Sequence, residues 1–400
     1  MKNHFEVLVI GGGNAGLSIA ALLLIKDPKL KVGIIEPSEK HYYQPAWTLV
    51  GAGVYNISDT ERNEADYIPE KATWLKEYAD KFDPAENKIT TREGNTYTYD
   101  YLIVCPGIQL NWDAIKGLNN NLGTNGITSN YSFKTAPYTF ECIKNYKGGP
   151  AIFHNPHTTM KCGGAPHKIM YLAADYFNKH QMKNNFNIQY WSGGNRLFGI
   201  DRYEKTLLEI VKRNNIKLQF TVRLEEIDAT NKKARFVGFG DFNKEQEYSV
   251  DYEFIHVTPP QSPPDFIKNS ALANAGGWVD VDQFTLQHKK FPNVFSLGDS
   301  AALPTAKTGA AIRKQTSVLA ANLLDFKLKK PLKALYNGYS SCPIVTGYGK
   351  LMLAEFGYDN VVMETFPFDQ SKERWSMYQL KRQILPRMYW NAILKGRMQG

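Results

Sequence analysis

Cys162 in "TTMKCGGAPHKIMYL" (158–172) and Cys342 in "YSSCPIVTGYGKLMLAEF" (339–356) are the residues whose settings best suit redox chemistry. Cys162 precedes a glycine pair and an expected helix, with Lys161 adjacent and His167 nearby. A helix N-terminus and neighbouring cations favour thiolate over thiol. Two thiols that meet can cycle between disulfide and dithiol and so move two electrons. Their separation of 180 residues does not show that they meet. The other cysteines, Cys105 and Cys142, fall after an expected strand and in an expected helix; four cysteines without a CxxC make no disulfide framework. His154, His157, Cys162 and His167 are ligand types that zinc accepts. They run from a strand through a proline-bearing loop into a helix without a paired knuckle, so no metal is assigned.

A second constellation opens the chain. "FEVLVIGGGNAGLSIAALLLI" reads as a buried strand, a glycine turn and an apolar helix, and "KVGIIEP" as the next strand. Gly11, Gly13 and Gly16 make a GxGxxG, and Glu36 lies 20 residues past Gly16. Gly11 permits the tight turn, Gly13 lets the backbone approach a pyrophosphate, and Gly16 lets helix pack on strand. The helix N-terminus at Asn14 and Ala15 attracts phosphate, and Glu36 accepts hydrogen bonds from a ribose diol.

"YTYDYLIVCPGIQ" (97–109) reads as a strand ending at Pro106-Gly107, and "FPNVFSLGDSAA" (291–302) as one ending at Gly298-Asp299. These resemble two secondary signatures of FAD proteins of the glutathione-reductase type. The resemblance implies FAD, with Pro106, Gly107 and Asp299 against it; the sequence leaves covalent attachment open, and non-covalent binding is expected. Taken alone, Asp299 also reads as a turn residue or a helix cap. Between these segments the βαβ pattern repeats: strands in "GGPAIFHNP", "NIQYWSGG" and "YEFIHVTPPQSPP", helices in "APHKIMYLAADYFNKHQ" and "RYEKTLLEIVKRNNIKLQF". The first of these helices carries Ile169, Met170, Leu172 and Ala173 on one side. Its loop, "HNPHTTMKCGGAP", has no GxGxxG, and bulky turn residues block close approach of a nicotinamide pyrophosphate. The expected class is α/β, with two Rossmann-like, glutathione-reductase-like domains and a C-terminal amphipathic helical membrane-binding region. Residues 1–130 and 276–345 form a discontinuous FAD domain, 131–275 a second domain without a working NAD(P)H loop, and 346–400 the C-terminal region.

Four hundred residues suffice for two or three domains. A formal net charge of +9 admits anionic partners. The surplus concentrates at 367–400, where seven Lys/Arg face only Asp369 and Glu373, interleaved with Trp, Tyr and Leu. No other basic patch is interleaved with aromatics, which argues against nucleic acid. "SKERWSMYQLKRQIL" and "PRMYWNAILKG" read as two interfacial helices, the second starting at Pro386. Trp375, Tyr378 and Leu385 mark one apolar side, and Met388, Tyr389, Trp390, Ile393 and Leu394 the other helix's. Deleting 367–400 is then expected to spare flavin reduction and to weaken membrane binding. The apolar stretch Val7–Ile25 is broken by "GGGNAG", so no transmembrane helix is expected.

The segments "KCGGAPHKIMYL", "SSCPIVTGYGK", "PTAKTGAA" and "FPFDQSKERWSMYQLKRQILPRMYWN" together resemble the sulfide:quinone oxidoreductases of mitochondria and some bacteria, over nearly the whole chain. The resemblance implies a Cys162–Cys342 redox disulfide attacked by hydrosulfide. Cys342 takes the sulfane sulfur as a persulfide, and Cys162 leaves as a thiolate facing the flavin. Electrons pass through FAD to a membrane quinone, and a small acceptor (sulfite, a thiol or more sulfide) removes the sulfur. Thr308 and Gly309 would start a helix aimed at the reduced flavin. Lys307 would add charge there or meet a quinone carbonyl, or else be a surface lysine. Homo-oligomerisation is compatible with the sequence. No leader pattern is read at the start, which implies a bacterial enzyme or a mature form; the expected location is the cytoplasmic face of a bacterial inner membrane. Two other readings stand beside this one: a single-subunit NADH:quinone oxidoreductase, which needs the missing glycine loop, and a flavoprotein sulfide dehydrogenase that reduces a cytochrome c.

Overall fold

The computed structural model describes residues 3–180 and 186–398. Gln181, at the end of an expected helix, and Gln399 and Gly400 of the tail lie outside the described residues. The continuous apolar run before the glycine turn forms strand β1 (His4–Ile10), the glycines turn the chain, and α1 (Asn14–Lys26) leads to β2 (Val32–Ile35). β1 is central: it pairs in parallel with β2 on one side and with β6 (Thr96–Val104) on the other, so its last residues are buried on both faces. The full order is β3 (Ala72–Leu75), β2, β1, β6 (Thr96–Val104), β5 (Lys88–Thr91), β4 (Ala79–Asp83). β12 (Val294–Ser296) returns from far along the sequence to pair in parallel with β6.

The second sheet is wholly parallel, in the order β7 (Ile127–Thr128), β11 (Phe254–Val257), β8 (Pro150–Asn155), β9 (Asn187–Ser192), β10 (Lys217–Gln219). Helix α2 (Ala165–Lys179) crosses from β8 to β9. Its one-sided reading fails: Ile169 through Ala174 are all fully buried. The reason is that α2 is covered on its far side by the hairpin of β13 (Ser340–Gly347) and β14 (Lys350–Phe356), which carries Cys342. Helix α4 (Gly309–Lys327) follows β12, and α3 (Asp201–Arg213) follows β9.

The tail departs from expectation. Residues 375–393 form one continuous helical run, alternating α turns (Trp375–Gln379, Leu385–Met388) with π turns (Leu380–Ile384, Tyr389–Ile393). Pro386 therefore starts no separate helix; π turns flank it, a common accommodation where an N–H is missing. Nor do the aromatics share an outward face. Tyr378, Tyr389, Trp390 and Leu394 are buried, whereas Trp375 is 67% and Ile384 48% exposed. Tyr389 and Trp390 pack on His41 and Tyr43. An amphipathic period shows that a helix has an apolar side, not what covers it, and here much of it faces the protein's own core. No described helix is long and apolar enough to cross a membrane.

Candidate active site

The glycine cradle has the shape its sequence requires. Gly11 has φ +100°, and a methyl on it would lie 2.6 Å from the Cys105 carbonyl oxygen. A methyl on Gly16 would lie 1.8 Å from the Gly11 carbonyl oxygen, so helix and turn touch through backbone alone. Gly13 faces open space in front of α1, where Asn14 and Ala15 begin the helix. Glu36 accepts from the Gly12 amide at 2.7 Å and from the Ser38 amide at 2.7 Å. Burial raises its pKa, against those two hydrogen bonds.

A second helix start meets the first. Gly309 comes within 3.6 Å of Asn14 Nδ2, measured from the position a Cβ would take. Thr308, not Asp299, caps α4: its Oγ1 accepts from the Ala311 amide at 3.2 Å and bonds Ser340 Oγ at 2.8 Å. Asp299 lies in the turn after β12, lining a small pocket with Gly298, Lys307 and Thr308. Burial raises its pKa, and Lys307 and Lys161 oppose the rise. Pro106 adjoins Gly11, and Gly107 has φ +84° with open space where a side chain would stand. Two helix N-termini, an unobstructed glycine and a partly buried carboxylate fit a dinucleotide. Lys307 is no surface lysine. Its Nζ donates to the carbonyls of Asp299 (2.6 Å) and Ala301 (3.1 Å), it lies 3.9 Å from the centroid of Trp278, and burial lowers its pKa to about 8.

The two cysteines meet. Their side chains are close enough to shift each other's ionisation, both as free thiols, although one stands before α2 and the other on β13. Gly164 makes room: a methyl there would be 2.7 Å from Cys342 Sγ and 3.3 Å from His167 Nε2. Cys162 holds φ +51°, left-handed backbone that costs a non-glycine residue about 1 kcal/mol. Its amide donates to the Lys307 carbonyl at 3.0 Å, and its carbonyl accepts from the Ala165 amide and the Tyr131 hydroxyl. Gly164→Ala is expected to push Cys342 out of line and to slow formation of the disulfide about tenfold, at about 1–3 kcal/mol of stability. Thiol titration after controlled oxidation checks it; unchanged disulfide yield and rate refute it.

Lys168 was not singled out by the sequence, yet its Nζ lies 3.4 Å from Cys162 Sγ. The hydrogen bond from Cys342 and then Lys168 hold the Cys162 pKa well below the thiol range, while the same bond raises that of Cys342. Burial opposes the Lys168 ammonium, but the two sulfurs outweigh it and its pKa rises. Lys381, read as one more basic residue of the tail, is only 6% exposed; its Nζ donates to the Pro45 carbonyl at 2.8 Å, and burial followed by Lys168 lowers its pKa to about 8. Removing 367–400 would therefore also remove Lys381, so flavin reduction in that deletion reports on this buried lysine as well as on the membrane. Lys168 could have been suspected as a lysine among "APHKIMYLAA", whereas nothing in the sequence separates Lys381 from its basic neighbours.

Among the described residues no His/Cys/Asp/Glu group is arranged to hold a metal ion. His154 and His167 are buried, and burial lowers the pKa of each to about 3. Cys105 is buried behind Gly11, raised in pKa by that burial. In the second sheet the loop after β8 folds back so that a methyl on Gly193 would lie 2.4 Å from His157 backbone.

Residues 5–138 match the family described as "Pyridine nucleotide-disulphide oxidoreductase". The chain is 46% identical to the mitochondrial sulfide:quinone oxidoreductase of Dictyostelium discoideum, over 100% of this chain and 88% of that one. It is 43% identical to the mouse mitochondrial protein of the same name, again over 100% and 88%. The solved sulfide:quinone oxidoreductase of the bacterium Aquifex aeolicus shares the fold, with a TM-score of 0.81 at 20% identity, over 99% of this chain and 92% of that one. The expectation of a bacterial inner membrane is overturned by the mitochondrial relatives, since it rested only on the absence of a recognised leader pattern. With a flavin cradle, a pair of touching thiols and full-length identities above 40%, the chain belongs to the sulfide:quinone oxidoreductase family.

Proposed function

We propose that this protein oxidises sulfide through the Cys162–Cys342 pair and passes two electrons by way of non-covalent FAD to a quinone, at a mitochondrial membrane. The observation that carries the reading is the contact between the two thiols within a bed of buried lysines. In the oxidised pair, hydrosulfide attacks Cys342 and the S–S bond breaks. The new sulfur–sulfur bond is on Cys342, and the electron pair leaves with Cys162. Lys168 holds that thiolate, as its 3.4 Å contact allows. Bound FAD would supply the two-electron acceptor. Gly11, Gly13, Asn14, Ala15, Gly16 and Glu36 would hold its adenosine and pyrophosphate, with Pro106, Gly107, Asp299, Lys307, Thr308 and Gly309 toward the flavin. Sulfite, a thiol or further sulfide would remove the sulfane sulfur. The division into 1–130 with 276–345, 131–275 and 346–400 follows from this reading.

Anaerobic titration tests it. Sulfide should bleach the flavin, a soluble quinone should restore its colour, and NADH should leave it unchanged. Bleaching by NADH instead would favour the NADH:quinone reading, against which stands the lack of a GxGxxG in the loop after β8.

The tail's solvent side would meet the membrane. Trp375, Ile384, Arg382 and Arg387 are exposed there. At about 1 kcal/mol per basic residue, Arg382→Gln with Arg387→Gln should weaken binding to anionic vesicles roughly thirtyfold. Unaltered vesicle sedimentation would remove the tail from membrane contact.

A further inference from the structure

A cleft of about 510 Å³ opens between residues 53–59 and the tail run, lined by Tyr55, Asn56, Asp59, Arg382, Gln383 and Arg387. Tyr55 is half-buried and the other five are exposed, so their polar groups can be reached from outside. The walls are fixed. The Tyr348 hydroxyl donates to the Ala52 carbonyl at 2.7 Å, Thr60 Oγ1 donates to the Ile57 carbonyl at 2.6 Å, and Lys381 ties the tail run to the Pro45 carbonyl. The charges between these walls are unpaired. Other exposed arginines of this fold have carboxylate partners: Arg202 pairs with Glu364 and Asp369, and Arg213 with Glu373. Among the described residues Arg382, Arg387 and Asp59 form no ion pair, with each other or elsewhere. Yet all three act on the Tyr55 hydroxyl. Burial raises its pKa, Asp59 adds to the rise, and Arg62, Arg387 and Arg382 oppose it. Both signs of charge thus stand around one phenol without pairing, and two arginines against one aspartate leave the cleft positive. Exposed Ile384 follows Gln383 on the same run and gives the rim an apolar residue.

We propose that this cleft is a phospholipid headgroup site, which takes a phosphodiester between Arg382 and Arg387 and the headgroup's hydroxyls on Asp59. This rests on the membrane reading of the tail above and gives it a ligand class, an anionic phospholipid with a polyol headgroup. Guanidinium forks match phosphate oxygens, and the Tyr55 hydroxyl is a further donor to them. An ionised carboxylate only accepts, so Asp59 selects a donor such as a hydroxyl. A headgroup amine would have to enter beside two arginines, a repulsion that a neutral hydroxyl does not meet. The cleft has room for a phosphate and a glycerol together, and Ile384 lies where the acyl chains would leave it.

The test sediments the full-length protein with vesicles of neutral lipid that contain the same fraction of either phosphatidylglycerol or phosphatidylmethanol. Both lipids carry a single negative charge, and only the first has free headgroup hydroxyls. Wild type should prefer phosphatidylglycerol about fivefold, the worth of one hydroxyl–carboxylate hydrogen bond in an open cleft. Asp59→Ala should bind the two vesicles alike, and should bind phosphatidylmethanol more tightly than wild type does, because an acid has left a surface that faces anions. Simple attraction of basic residues to the bilayer gives no preference in wild type. Deacylated glycerophosphoglycerol, titrated without vesicles, should bind only in the millimolar range, since it lacks the bilayer's many simultaneous contacts. Equal affinity of wild type for the two vesicles, a preference that survives in Asp59→Ala, or micromolar binding of the deacylated headgroup overturns the proposal and leaves the membrane reading standing. Failure of wild type to bind either vesicle sinks both.

Discussion

Cys162→Ser is expected to abolish sulfide-driven bleaching of the flavin, by at least about a thousandfold in rate, as removal of a covalent participant does elsewhere. Serine nearly matches the volume and keeps the amide bond to Lys307, so the loop with φ +51° need not rearrange. What it lacks is chemistry. A hydroxyl neither closes a disulfide with Cys342 nor leaves as a stable anion beside Lys168. The glycine cradle is untouched, so FAD content should match wild type, which separates a chemical defect from a folding one. Rapid mixing with sulfide under anaerobic conditions reads the result. Full bleaching in Cys162→Ser would end the proposed mechanism.

Lys168→Met should have the second largest effect, and its sign follows from the thiolate. Lys168 stabilises the charged form of Cys162, so its loss raises that pKa. The thiolate is populated above the pKa, so the variant needs a higher pH to reach the same fraction. Alkylation of reduced Cys162, which only the thiolate performs, should stay fast in wild type well below the pH at which an ordinary thiol reacts, and slow down there in Lys168→Met. The midpoint should move up by about one to three pH units, the range a close opposite charge produces. Methionine fills the stem's volume in a buried setting, so packing changes little. Coincident profiles for the two proteins would show that Lys168 does not set the thiolate.

The cradle was legible because it is local. A βαβ unit with three glycines is read from Phe5–Glu36 alone: the φ +100° at Gly11 and the 1.8 Å approach of Gly16 to the Gly11 carbonyl are local, although Gly11 also meets the distant Cys105 carbonyl. The thiol pair was legible only through family resemblance, since Cys342 reaches Cys162 by a hairpin laid across a helix. Lys381 and Tyr389 were misread for one reason. Their helix carries aromatic and basic residues in a pattern that a membrane surface and a protein core both satisfy, and burial belongs to the partner rather than to the pattern. Lys307 shows the same limit in reverse: a lysine beside a threonine and glycine looks exposed until two carbonyls and a tryptophan ring are found around it.

The amide of Cys162 is fastened to the carbonyl of Lys307, and Lys161 and Lys307 form a short parallel bridge. The sulfur belongs by sequence to the second sheet, but its loop is stitched to the segment that leads from β12 into α4. Rocking of one sheet against the other would carry this loop along with the cradle's side of the cleft. The hairpin bearing the other thiol is pinned to the same segment through Ser340, whose Oγ meets the Thr308 hydroxyl and the Ala306 carbonyl, so the reach from both sulfurs to the cofactor is insulated from that motion.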